Sequence, residues 1–109
     1  MFDKNFEKAM ASFFRAMGDE TRISILQLLQ NNNELNVNDI CKHLKKQQHQ
    51  ISHHLACLRN CGLVRARREG KMVFYSLNGR SRIRRIVETA SQHVKVTLEN
   101  ILRCKEVNT

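Results

Sequence analysis

The stretch Gln48-His49-Gln50-Ile51-Ser52-His53-His54-Leu55-Ala56-Cys57-Leu58-Arg59-Asn60-Cys61-Gly62-Leu63-Val64-Arg65-Ala66-Arg67-Arg68-Glu69-Gly70-Lys71-Met72-Val73-Phe74-Tyr75-Ser76-Leu77 changes period in its middle. From Gln48 to Cys61 the apolar residues Ile51, Leu55 and Leu58 recur at spacings of three and four, which predicts a helix. Gly62 is placed to end that helix in the left-handed conformation. From Leu63 to Leu77 apolar and polar residues alternate around one turn signal, Glu69-Gly70, which predicts a β-hairpin. The hairpin is basic, with Arg65, Arg67, Arg68 and Lys71 toward its tip.

Upstream, Val37 to Leu44 reads as a short helix with Val37, Ile40, Cys41 and Leu44 on its apolar side. The polar run Lys45-Lys46-Gln47-Gln48 joins it to the next helix. Two short helices, a tight turn and a basic hairpin make a winged helix-turn-helix. Farther out, a first helix is predicted from Asp3 to Met17, with Phe6, Met10, Phe13, Phe14 and Met17 as a stripe, ended by Gly18. Asp19 caps a second helix, Glu20 to about Gln30. Asn31-Asn32-Asn33 is a turn. A last helix, Arg80 to Arg103, carries Ile83, Ile86, Val87, Ala90, Val94, Leu98 and Ile101. The predicted order is α-α-α-α-β-β-α, a mainly α class with a hairpin wing, read as one domain over residues 1–109.

The chain has 109 residues, 41% hydrophobic and 27% charged, which suits one small globular domain. Net charge is +9, and a small domain this basic points to a polyanionic partner, nucleic acid first. No apolar run approaches the ~20 residues of a membrane span. Met1-Phe2-Asp3-Lys4-Asn5-Phe6 lacks a signal-peptide layout. The expected location is therefore cytoplasmic, where thiols stay reduced and four cysteines favour metal or redox chemistry. No phosphate loop, paired carboxylates or Ser-His-Asp order is present, so neither an enzyme nor a small-molecule substrate is expected.

In a winged helix-turn-helix the second helix of the pair enters the major groove. Its exposed positions are Gln47, Gln48, His49, Ser52 and His53, side chains able to contact base edges or phosphates. Arg65, Arg67, Arg68 and Lys71 on the hairpin suit the backbone or adjacent minor groove, and Lys45 and Lys46 add charge at the turn.

Cys57 and Cys61 stand one helical turn apart, so both sulfurs can reach one ion, with a third donor supplied from elsewhere. Thiolates favour Cd(II), Pb(II), Zn(II) or As(III) over hard ions. Gln50 and His54 share their stripe. His54 is open to ligation, though hydrogen bonding or DNA contact is the commoner role. Cys41 reads as a small hydrophobe on the apolar side of its helix. Arg59, Arg103 and Lys105 are placed to favour thiolates.

Gly18-Asp19-Glu20-Thr21-Arg22-Ile23-Ser24-Ile25-Leu26 resembles the start of the second helix in ArsR/SmtB repressors. Ile51-Ser52-His53-His54-Leu55 and Leu58-Arg59-Asn60-Cys61-Gly62-Leu63-Val64 resemble that family's recognition helix and exit, and Gly70 to Leu77 its wing. One departure is Gln47, where the family often opens the recognition helix with Ser. The resemblance implies a homodimer built on the first and last helices, and negative regulation of metal-resistance or transport genes. The family's third-helix cysteine site falls on Glu34-Leu35-Asn36-Val37-Asn38-Asp39-Ile40, where both thiol positions are Asn. Its last-helix zinc site falls near Gly79, Ser81, Gln92 and Lys95, which lack the ligands. Cys57 and Cys61 instead resemble the pair of the cadmium- and lead-responsive CmtR-type repressors, whose third ligand is a C-terminal cysteine, here Cys104.

The resulting expectation is a repressor that binds double-stranded operator DNA as a metal-free homodimer. Metal at Cys57, Cys61 and Cys104 would release it, and Cys104 is open to acting within its own subunit or across the dimer. Two alternatives keep the DNA reader: arsenite or thiol redox acting on the same cysteines, and an architectural protein with no effector. Redox sensors of this fold place a cysteine in the second helix, near Gln27 here.

Overall fold

The structure, a computed structural model, describes residues 2–104. Its elements are α1 (Lys4–Met17), α2 (Glu20–Asn31), β1 (Leu35–Asn36), α3 (Val37–Leu44), α4 (Gln48–Asn60), β2 (Val64–Glu69), β3 (Met72–Leu77) and α5 (Arg80–Arg103). The predicted helices and hairpin are all present, and one strand is added. β1 pairs with β3 through Leu35↔Tyr75 and Asn36↔Phe74, giving an antiparallel sheet in the order β1-β3-β2. A two-residue strand is too short to show alternation, which is why periodicity missed it.

Each early helix starts on a side chain that accepts an otherwise orphaned backbone N–H. Asp3 accepts from Phe6 N at 2.7 Å, Asp19 from Arg22 N at 3.1 Å, and Asn36 from Asp39 N at 2.8 Å. Gln47 opens α4 with no side-chain cap. The α4 helix stops at Asn60, and Gly62 takes φ +78°, the left-handed value that glycine adopts without a Cβ penalty. The Val64↔Leu77 to Glu69↔Met72 register leaves Gly70-Lys71 as a two-residue loop. Gly70 has φ +61° and Lys71 is not left-handed, the pattern of a type II′ turn.

The chain divides into two compact units, the first ending at Gly79 and the second beginning at Arg80. In the first, Ile25, Leu26 and Leu29 of α2, Ile40 of α3 and Ile51, Leu55 and Leu58 of α4 are buried. Leu63, Val64 and Leu77 at the root of the hairpin are buried as well. The α1 stripe behaves differently, since Phe6, Met10 and Phe14 are exposed. In the second unit α5 leaves helical geometry at Thr97, whose Oγ1 donates to the His93 carbonyl at 3.0 Å. Val94, Leu98 and Leu102 are exposed along it. Among the described residues no helix is long and apolar enough to cross a membrane.

Candidate functional site

Helix α4 is laid out in three faces. Ile51, Leu55 and Leu58 are buried and fix its rotation. His49, Ser52 and His53 recur three and four apart on the exposed side, with Gln48 beside them. Between these faces runs the stripe of His54, Cys57 and Cys61, all half-buried. The thiols therefore adjoin the face that would meet bases without occupying it. Cys61 N donates to the Cys57 carbonyl at 3.1 Å, so the final turn of α4 holds the two thiols one turn apart.

The turn into α4 carries Lys45 and Lys46, both exposed. Lys45 has φ 56° and φ/ψ in the left-handed region, a conformation that costs a non-glycine residue about 1 kcal/mol or more. On the hairpin, Arg65 Nε donates to Asn78 Oδ1 at 3.1 Å, and Asn78 Nδ2 donates to the Gly62 carbonyl at 2.9 Å. That relay aligns Arg65 with the end of α4 and leaves its charge uncompensated by that neutral partner. Arg68 and Lys71 are exposed. Arg67 is placed differently, because its guanidinium is paired with Glu34 and Glu69, both at 2.8 Å. Its hydrogen bond holds the Glu34 carboxyl below the usual carboxylate range, while the two carboxylates hold the Arg67 guanidinium above its own.

His54 has a structural partner that the sequence did not signal. Arg22 Nη1 lies 3.2 Å from His54 Nδ1, and Asp19 Oδ2 is 3.8 Å from the same nitrogen. Arginine only donates, so this hydrogen bond takes the lone pair on Nδ1 and puts the ring proton on Nε2. Neither nitrogen is then available to a metal while the contact holds. Arg22 Nε also donates to the Ala16 carbonyl at 2.6 Å and Nη2 to the Arg15 carbonyl at 3.3 Å. One side chain so joins the end of α1, the start of α2 and the flank of α4. No local spacing announces it, because the contact joins residues 32 apart in the chain.

The donor set suits a soft ion in part. Cys57 and Cys61 supply two sulfurs from one helix turn, the chemistry of a thiophilic site. Among the described residues no group of three or more His, Cys, Asp or Glu is assembled to hold a metal ion. Cys104 is exposed in the second unit, directly after α5, with its N–H bonded to the Ile101 carbonyl at 3.0 Å. Cys41 is half-buried on α3. Arg103 pairs with Glu99 at 3.5 Å, Arg59 is exposed, and Lys105 lies outside the described residues.

Comparison with known proteins gives this geometry a context. Residues 19–66 match the family model described as bacterial regulatory protein, arsR family. An uncharacterised helix-turn-helix transcriptional regulator of Methanocaldococcus jannaschii is 49% identical over 72 residues, covering 66% of this chain and 80% of that protein. Among solved structures, the homodimeric winged helix-turn-helix DNA-binding domain of a possible ArsR-family regulator from Mycobacterium bovis superposes with a TM-score of 0.75. It is 26% identical and covers 87% of this chain and 92% of its own. The cadmium metal-sensor CmtR from Mycobacterium tuberculosis superposes with a TM-score of 0.60 at 37% identity, covering 72% of this chain and 80% of its own.

Proposed function

The chain belongs to the arsR family of bacterial regulatory proteins, and from that premise we propose that it is a cytoplasmic thiol-based metal sensor that controls transcription. It binds operator DNA as a homodimer and lets go when Cys57, Cys61 and Cys104 take up a thiophilic ion. Its relatives are transcriptional regulators with a winged helix-turn-helix, and it is not an enzyme. On this reading the chain serves as one DNA-binding domain, with its first and last helices building the dimer interface.

The observation that carries the sensor reading is the Cys57–Cys61 pair on the flank of α4, beside the face formed by His49, Ser52 and His53. Cd(II) and Pb(II) fit three thiolates best, and likeness to a cadmium sensor at 37% identity supports that choice. Zn(II) and As(III) are accessible to the same sulfurs. The homodimer is supported by the exposed apolar residues of α1 and α5, and by the homodimeric Mycobacterium bovis domain.

On DNA, α4 lies in the major groove with Gln47, Gln48, His49, Ser52 and His53 toward bases and phosphates. Arg65, Arg68, Lys71, Lys45 and Lys46 neutralise the backbone around it. A bound ion would hold three thiolates at one point. Cys57 and Cys61 must lose their protons for this, so capture of the ion releases protons. Cys104 then ties the end of α5 to α4 and biases the recognition helices away from the spacing that operator half-sites require. A 100-fold loss of DNA affinity needs only about 2.7 kcal/mol of such coupling.

Titration with Cd(II), followed by sulfur-to-metal charge-transfer absorption, tests the donor set on wild type and on Cys57→Ser, Cys61→Ser and Cys104→Ser. The expected result is a band that shrinks by about one thiolate for each substitution. A wild type that develops no band, or a band unchanged by Cys57→Ser and Cys61→Ser, contradicts the proposal.

A further inference from the structure

Arg67 leaves β2 and crosses the face of the central strand β3. Its Nε and Nη2 donate to Glu34 Oε2 and Oε1 at 2.9 and 2.8 Å, a two-pronged pairing of fork and carboxylate. Nη1 donates to Glu69 Oε2 at 2.8 Å, and the guanidinium carbon stands 5.0 Å from the centre of the Phe74 ring. Phe74 is the β3 residue that pairs with Arg67 on one side and with Asn36 of β1 on the other. Glu34 immediately precedes β1, and Asn36 in turn caps α3 through the Asp39 N–H. A single side chain therefore reaches from the outer strand of the wing, over the middle strand, to the segment that starts the helix-turn-helix. Two ladder pairs are a weak attachment for an edge strand. The arginine fork adds a directional tie that a point charge such as lysine would not supply. Three of its five N–H donors are thus committed to two carboxylates, whose negative charge also opposes a phosphate at this guanidinium.

We propose that Arg67 is a positioning residue, which clamps the wing to the Glu34–Asn36 segment and so fixes the attitude of the wing against α3 and α4. Phosphate contact by the wing falls to its cations outside that clamp, Arg65, Arg68 and Lys71. The proposal rests on the reading that α4 and the wing bind DNA, and it departs from the simpler expectation that every wing arginine meets the backbone.

The test measures operator affinity against salt for wild type, Glu34→Gln, Arg67→Gln, Arg67→Lys, the Glu34→Gln/Arg67→Gln double variant and Arg68→Gln. Glu34→Gln and Arg67→Gln are each expected to weaken binding by about 3- to 5-fold, the scale of one well-made surface ion pair. Their salt slopes stay at the wild-type value, the double variant is no weaker than the poorer single, and Arg67→Lys does not restore affinity. Arg68→Gln, by contrast, flattens the slope by about 0.9. Amide hydrogen exchange on the DNA-free proteins reads the clamp independently of DNA binding. Wing amides exchange faster in Glu34→Gln and Arg67→Gln while α4 amides do not. A slope flattened by about 0.9 in Arg67→Gln, or tighter binding by Glu34→Gln, overturns the positioning role. Unchanged wing exchange in both variants overturns the clamp itself, whatever the DNA result.

Discussion

Replacing Arg22 by methionine keeps an unbranched apolar stem and removes every polar tie that the guanidinium makes. The strongest tie is Nε to the Ala16 carbonyl at 2.6 Å, in a part-buried setting at the end of α1. A charge-assisted hydrogen bond there contributes roughly 1.5–3 kcal/mol, and its loss leaves a buried helix-end carbonyl without that donor. The Nη1 contact with His54 at 3.2 Å is also part-buried and adds about 1 kcal/mol. The Nη2 contact with Arg15 at 3.3 Å is exposed and adds little. The expected loss is about 2–4 kcal/mol, read by urea unfolding at one fixed protein concentration so that any self-association enters every variant alike. A double-mutant cycle with His54→Ala isolates the link to α4, with about 1 kcal/mol of coupling expected. A loss below about 1 kcal/mol for Arg22→Met would refute the view that this side chain binds three helices together.

Gln47→Ser supplies the missing cap of α4 and is expected to stabilise the protein by about 0.5–1 kcal/mol in the same unfolding assay. Leu55→Ala removes a fully buried side chain from the core face of α4, and should cost about 2–5 kcal/mol. The wing clamp should also respond to acid. Its hydrogen bond with Arg67 lowers the Glu34 carboxyl in the folded state, so the ionised form is favoured by folding. The stabilisation is complete above the ordinary glutamate value of ~4.3 and is lost as pH falls through the lowered folded value. Wing amide chemical shifts followed between pH 6 and 3 should show this change in wild type, and Glu34→Gln should remove it.

The strongly periodic parts of the fold were legible because one local pattern decides each of them. Ile51, Leu55 and Leu58 set α4, Gly62 ends it, and the alternation from Val64 to Leu77 sets the hairpin. Features that depend on distant partners were not. β1 exists because the free edge of β3 takes up Leu35 and Asn36, and nothing in those two residues announces it. Arg67 looked like its neighbour Arg68 in sequence, but Glu34, 33 residues away, takes its fork. His54 shares a stripe with the thiols, and only packing brings the Arg22 guanidinium to it. The candidate site was legible to the same extent. Helical spacing places Cys57 and Cys61 together, whereas a third thiol is a matter of tertiary arrangement that spacing does not encode.

In the proposed mechanism, thiols on the flank of α4 govern its hold on DNA. An operator titration with and without Cd(II), on wild type and Cys57→Ser, puts this to the test in one experiment. Cd(II) is expected to weaken wild-type binding by on the order of 100-fold and to leave Cys57→Ser binding as it was. Wild-type operator affinity that does not change with Cd(II), or that falls equally in Cys57→Ser, would overturn the mechanism.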